Sequence, residues 1–170
     1  MADGLDPVVA STQSDGRWKI AWIPKGTGTA PNPLSAAILK GSTSVPLTYS
    51  FTPDGFNPTT TQASVEDKRL TLTQDLSRPG KTTDALSTKY VDSTDPKSAA
   101  VALPQNTEGF FVIRRGKNNE TDWTVGDIVD VWTCITGVQR NAAPTENGLD
   151  LIEQDMFITA PSQRKKVVVA

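Results

Sequence analysis

The sequence predicts a mainly β chain, an antiparallel β-sandwich or barrel with one short flanking α-helix. Two observations carry that prediction. Apolar and polar residues alternate with period two over several short runs, as half-buried strands require. Between the runs stand clusters of Gly, Pro, Asn, Asp and Thr that make turns, and only one segment has both a start and a stop signal for a helix. Strands joined by such turns over 170 residues fit one domain.

Taken in order, residues 1–16 are polar and small and read as an N-terminal arm, to be ordered against a neighbour. The strand from Arg17 to Ile23 sets Trp18, Ile20 and Trp22 against Arg17, Lys19 and Ala21, so one face is expected to be buried. Pro24 ends it, and Gly26, Gly28, Pro31 and Pro33 make a loop. Leu34 to Lys40 favours a helical turn closed by Gly41. Val45 to Phe51 reads as a strand with Val45, Leu47, Tyr49 and Phe51 on one face, Pro46 marking an edge or a strand start. Thr52 to Ser64, TPDGFNPTTTQAS, reads as a long loop with Phe56 exposed at its tip; long loops are commonly functional or mobile. Val65 to Asp75 alternates again, with Leu70 and Leu72 inward, and Leu76 to Asp84 is a second polar loop around Pro79 and Gly80.

Ala85 to Asp92 reads as a strand. Asp95 and Pro96 supply an N-cap and first helical residue for the run KSAAVAL, which Pro104 stops. Strands follow at Gly109 to Arg115, Asp127 to Gly137 and Leu149 to Thr159, and the turn region between Gly116 and Gly126 holds Trp123. Val167 to Val169 is a short terminal strand or a tail. The expected organisation is an arm over 1–16, a β domain over 17–160 and a C-terminal arm over 161–170.

Composition narrows the function. The net charge of −2 lacks the basic excess that general nucleic-acid affinity needs, although a mildly acidic protein can sit beside DNA that it must not hold. Histidine is absent, which removes the commonest general base and metal ligand. Cys134 is the only cysteine, so no intrachain disulfide can form. No apolar run approaches the roughly 20 residues of a membrane span. Met1 to Asp6 has neither the basic stretch nor the apolar core of a secretory signal, and the sequon Asn119-Glu120-Thr121 is read as chance. No catalytic residue, cofactor or metal site is expected.

The remaining constellations have plain structural readings. Ser87 and Lys89 could form a nucleophile and base but read as a solvated strand face. Glu66 and Asp67 are adjacent carboxylates, and neighbours on a strand point to opposite faces. Asp150, Glu153 and Asp155 lack the spacing of a calcium loop, and Gly26-Thr27-Gly28 lacks the lysine of a phosphate loop. The basic clusters Arg114, Arg115, Lys117 and Arg164, Lys165, Lys166 read as solubility or subunit-contact features. Trp18, Trp22, Trp123 and Trp132 read as core or interface rather than a sugar platform.

The order of LSAAILKG, TPDGFNP, LSTKYVD, TEGFFVIRRG, GDIVDVW and EQDMFIT over residues 34–160 resembles the major tail proteins, or tail tube proteins, of siphophages, especially those infecting actinobacteria. The resemblance implies a non-enzymatic virion subunit that forms hexameric rings. Those rings would stack into a tube through which double-stranded DNA passes without specific binding. Its implied partners are further copies of itself and the tape measure, tail terminator and baseplate or tip proteins, with assembly in the host cytoplasm and no membrane. The resemblance makes Asp54, Gly55, Phe56, Asn57, Pro58, Thr59, Thr60 and Thr61 the candidate inter-ring loop, Phe56 being its anchor, and Leu76 to Asp84 a second candidate. Glu66 and Asp67 become candidate lumen residues. The alternatives are a carbohydrate-binding β-sandwich, another virion protein such as a tail terminator or head decoration protein, and an enzyme using Ser87 with Lys89 or the Glu66 carboxylate.

Overall fold

A computed structural model describes residues 10–71 and 73–170. Its elements are β1 (Trp18–Pro24), α1 (Ala36–Lys40), β2 (Val45–Pro46), β3 (Phe51–Asp67), β4 (Leu76–Val91), α2 (Ala99–Ala102), β5 (Glu108–Arg115), β6 (Ile128–Asn141), β7 (Leu151–Ile158) and β8 (Gln163–Val167). Eight antiparallel strands make one sheet, seven of them in the order β2-β1-β5-β6-β7-β4-β3 and β8 beside β6, and the sheet curls into a half-barrel. The strand β6 is long enough to pair with β8 through Ile128 to Val131 and with β7 through Cys134 to Asn141.

Period two sends neighbouring side chains to opposite faces of a strand, and here both faces of the central strands are buried. One core gathers Trp22, Phe111, Ile113, Trp132, Tyr90, Ile152 and Met156 with Ala99 and Leu103 from the α2 region. The other gathers Ala21, Ile23, Val112, Val129 and Val131 beneath Leu39 of α1, Trp123 and Val168. The expectation of one buried face on β1 is therefore corrected, because Ala21 and Ile23 serve the second core as Ile20 and Trp22 serve the first. Close approach fixes one glycine: a Cβ on Gly109 would stand 2.6 Å from the Trp22 ring, so only a bare α-carbon lets the indole lie across β5.

Several elements differ from the sequence reading. The strand expected over Val45 to Phe51 is broken: Val45–Pro46 pair with β1, the chain then turns, leaving Tyr49 80% exposed while Leu47 stays buried, and Phe51 opens β3 opposite Tyr90. Asp95 caps a turn by accepting from the Lys97 N–H at 2.8 Å, and α2 begins later, behind Ser98. The stretch Leu34 to Lys40 supplies a second helix, α1, closed at Gly41. Residues 163–167, expected within a terminal arm, form β8, and Val168 is fully buried. Of the N-terminal arm, residues 10–16 are described and are exposed.

The largest difference lies between residues 52 and 84. Both expected loops, 52–64 and 76–84, are strands. The expected strand Val65 to Asp75 supplies the last residues of β3 and the turn that follows, with Leu70 fully exposed rather than inward. Leu72 lies outside the described residues. The result is one hairpin of 17 and 16 residues, β3 and β4.

Candidate assembly interface on the long hairpin

The hairpin joins the sheet only at its base, where Leu86 to Val91 pair with Met156 to Leu151 of β7. From Ala85 outward, β4 pairs with β3 alone, so the two strands project as an arm of about ten residues each, or roughly 33 Å at the rise of a strand. Both long edges of this arm carry unpaired backbone groups, and a two-stranded ribbon is marginal on its own in water.

The sequence places no core on the arm. Val65, Leu70 and Leu76 are exposed at its far end. Nor does it blunt the outer edge: residues 57–64 of β3, NPTTTQAS, carry no charge, and only Pro58 interrupts the row of donors. Natural edges normally carry charges or are covered, so an uncharged edge of this length suits pairing with another chain.

The base of the arm is built tightly. Between Phe51, opposite Tyr90, and Phe56, opposite Thr88, β3 bulges outward by three residues. A Cβ on Gly55 would fall 2.0 Å from the Lys89 carbonyl oxygen, so the bulge closes only on glycine. Thr52 Oγ1 donates to Asp54 Oδ1 at 3.0 Å. Phe56, expected to be exposed, packs edge-on against Phe51 and Phe111, with centroids 5.2 and 5.5 Å apart. Of the candidate segment Asp54 to Thr61, then, Asp54 to Pro58 lie at the base, where β4 also pairs with β7, and Thr59 to Thr61 belong to the arm.

The C-terminal strand touches the arm at one place. Thr60 Oγ1 donates to Asp84 Oδ1 at 2.5 Å, the Ser162 N–H donates to Asp84 Oδ2 at 3.3 Å, and Arg164 donates to Thr60 Oγ1. The bonds from Thr60 and Ser162 hold the Asp84 carboxyl below its ordinary pKa. Glu66 and Asp67 lie at the far end of the arm. Lys68 pairs with Glu66 at 2.7 Å, and Arg69 and Arg78 pair with Asp67 at 2.9 and 3.4 Å.

A second constructed feature escaped the sequence reading. Arg114, placed among surface cations, is 1% exposed and organises the loop between β5 and β6. Its guanidinium donates to the carbonyls of Asn118, Thr121 and Asp122 at 2.6–2.9 Å and to Asp127 Oδ2 at 2.8 Å, and it stacks on Trp123. Burial opposes the charged form of Asp127. The Thr124 N–H, Lys117, the Thr124 hydroxyl and Arg114 all donate to the carboxylate and overcome that opposition, holding its pKa well below the usual range. An arginine ending an apolar strand, followed by an aspartate at the start of the next, was the available signal.

The candidate chemical groups are dispersed or paired off. Lys89 faces Glu153 at 3.4 Å, Arg140 faces Asp155 at 2.8 Å, and Asp150 falls before β7. No group of three metal-ligating side chains occurs among the described residues, and no described helix is long and apolar enough to cross a membrane. Cys134 is buried, which pushes its thiol up to about 12.

The described residues thus form an antiparallel half-barrel that keeps a long, uncharged strand edge open. Comparison with known proteins gives this fold a family. The family profile described as "Phage tail tube protein" matches residues 7–170, and the chain belongs to that family. It is accordingly a structural component of a phage tail, part of the virion. Among solved structures, a chain of the cryo-EM structure of the anti-feeding prophage (AFP) baseplate, 6-fold symmetrised, matches with a TM-score of 0.57 at 8% identity. The match covers 93% of this chain and 99% of that one. At that identity the likeness speaks to the fold. No curated protein matches the sequence.

Proposed function

We propose that this chain is the repeating subunit of a siphophage tail tube. It forms hexameric rings that stack into a conduit for double-stranded DNA, and it acts structurally rather than as an enzyme. The observation that carries this reading is the hairpin arm, open at both edges and with Leu70 exposed at its end, on a chain of the tail tube family. A head-to-tail contact around a rotation axis closes a ring without leaving a free edge. Strands added to the arm from neighbouring copies would extend the half-barrel into a barrel. The similar AFP chain comes from an assembly treated with six-fold symmetry, which supports six as the ring number.

In this reading the arm reaches the next copy or the next ring, the N-terminal residues 1–16 add a second contact, and the tape measure, tail terminator and baseplate proteins cap the stack. Assembly takes place in the host cytoplasm. Ordering the arm against a template has an entropic cost, which delays polymerisation until an initiator is present.

The test is removal of the arm alone. Replacing Ala63 to Lys81 with a short turn leaves Gly55, Phe56 and the β4–β7 pairing in place. A deletion of Asp54 to Thr61 would instead strip Phe56 from the core. Negative-stain microscopy with light scattering at rising concentration should show tubes or stacked rings for the parent and folded, unassembled protein for the truncation. Normal tubes from the truncated chain would take the arm out of the mechanism.

A further inference from the structure

Among the described residues, hydrogen bonds join the arm to the body beyond its root at one place, and a single carboxylate organises it. The strand β4 leaves β7 at Leu86, and Thr60 opposite Asp84 is the second cross-strand pair beyond that point. Thr82, Thr83 and Ala85 around it are exposed. Asp84 is half-buried against Ser162, itself half-buried between exposed Pro161 and Gln163.

Both carboxylate oxygens are used. Thr60 of β3 donates to Oδ1 at 2.5 Å, and the Ser162 N–H donates to Oδ2 at 3.3 Å. Arg164 in turn donates to the Thr60 hydroxyl oxygen. Each strand of the arm thus has its own tie to the C-terminal segment, β4 through Ser162 and β3 through Arg164, and the Thr60–Asp84 bond links the two ties. One tie would leave a pivot, whereas two from different strands hold an orientation. The segment is itself fixed to the body on both sides of the ties. The Thr159 N–H donates to the Thr133 carbonyl at 3.0 Å, the Lys165 N–H donates to Asp130 Oδ1 at 2.8 Å, β8 pairs with β6, and Val168 is fully buried.

Orientation matters because the arm is long and bare. Over a length of roughly 33 Å, a swing of about 10° at the root carries the end about 6 Å, more than the spacing of about 4.8 Å between paired strands. The ribbon alone gives little stiffness. It shifts register between Phe51 and Phe56 below the ties and again between Gln62 and Ser64 above them, and bulged strands bend. We propose that Asp84 aims the arm: by clamping both of its strands to the crossing between β7 and β8, it fixes the direction in which the arm reaches another copy, a role that rests on the tube proposed above. Asp84 is then a positioning residue for assembly, and its loss leaves the core packing in place.

Distances in the subunit and assembly of the tube test this separately. Spin labels go on Val65→Cys at the far end of the arm and on Val138→Cys of β6, both exposed, while the buried Cys134 takes none. The labelled parent should give one narrow distance distribution and Asp84→Ala a broad one. Asp84→Asn, whose amide can accept from the Ser162 N–H and donate to Thr60, should restore the narrow one. In unlabelled chains Asp84→Ala should raise the concentration at which tubes form about tenfold, because each association must then order a free arm. Its Tm should stay within about 4 °C of the parent's, and Asp84→Asn should return the assembly threshold to the parent's. Should Asp84→Ala fail to fold, Arg164→Ala, at an exposed residue, removes the second tie alone and should also broaden the distribution. A broad distribution in the parent overturns the assignment, as does an unchanged narrow one in the variants or a broadened arm that assembles at the parent's threshold. A parent that forms no tubes strikes the proposed tube, and the distances still decide whether Asp84 holds the arm.

Discussion

The body of the sheet and its arm are made of the same secondary structure on opposite terms. In the body, β1, β5 and β6 bury both faces, and single residues such as Gly109 and Arg114 are fixed by what touches them within the chain. In the arm, strands of comparable length bury almost nothing, and backbone pairing between β3 and β4 is nearly all that holds them. The body is specified by its own contacts. The arm has few such contacts within the chain, and in the proposed tube other copies supply them. Substitutions in the body should therefore register as stability, and substitutions in the arm as assembly.

The largest effect is expected at Arg114. Arg114→Met removes the donor to three loop carbonyls and leaves Asp127 with Lys117 and Thr124. Breaking a buried pair on one side costs about 3–5 kcal/mol, which for a chain of this size lowers Tm by about 10 °C. Thermal unfolding followed by Trp fluorescence would register it, and an unchanged Tm would mean that the loop is not organised from this residue.

Gln154 comes next. It is fully buried: Nε2 donates to the carbonyls of Leu103 at 3.0 Å and Gly137 at 2.9 Å, while Oε1 accepts from the Tyr90 hydroxyl at 2.8 Å. Gln154→Leu fills the same space and strands those groups, a loss of about 1–3 kcal/mol in urea unfolding. No shift in midpoint would show that the neighbours, Gln139 among them, rearrange to satisfy one another.

A smaller effect, confined to acid, is expected from Asp127. Its carboxyl is held below the ordinary range in the folded chain, so the stability it contributes is fully present above its unfolded pKa of about 4 and is lost as pH falls toward the folded value. The parent should lose stability below about pH 4. Asp127→Asn should start less stable at neutral pH and change less in that window. Parallel acid profiles for the two chains would mean that the donors around this carboxylate do not hold its pKa down.

The same division explains what could be read from the residues. The strands around Trp22, Phe111, Trp132 and Ile152 were legible because burial, on both faces of β1, β5 and β6 and on one face of β7, fills them with apolar side chains, and the last third of the chain folds nearly as its pattern dictates. The arm was not, because TPDGFNPTTTQAS is turn-rich and nearly uncharged, and without a buried face there is no period to find. The apparent alternation around Leu70 instead belongs to the hairpin's end, where nothing buries it. The C-terminal strand was missed for a related reason: QRKKV is exposed throughout, and β8 is held at Val168 and by the Lys165 N–H donating to Asp130 Oδ1 at 2.8 Å. Arg114 was hidden by its type, since arginines are rarely buried without a partner and the partner, Asp127, comes from another strand's approach.

The smallest expected effect on the monomer is the most informative for the arm. Leu70 is fully exposed at its end, an apolar side chain with no core around it. Leu70→Ser removes no buried contact, so its effect on unfolding should stay within about 0.5 kcal/mol of zero. An exposed leucine that is only incidental could be changed with no other consequence. If it seats on another copy, the substitution should raise the concentration at which tubes form while leaving the thermal unfolding curve of the subunit in place. Light scattering and thermal unfolding on the same samples separate the two. Unchanged assembly would confine the contact to the edges of β3 and β4, whereas a lowered Tm would mean that the end of the arm packs within its own subunit.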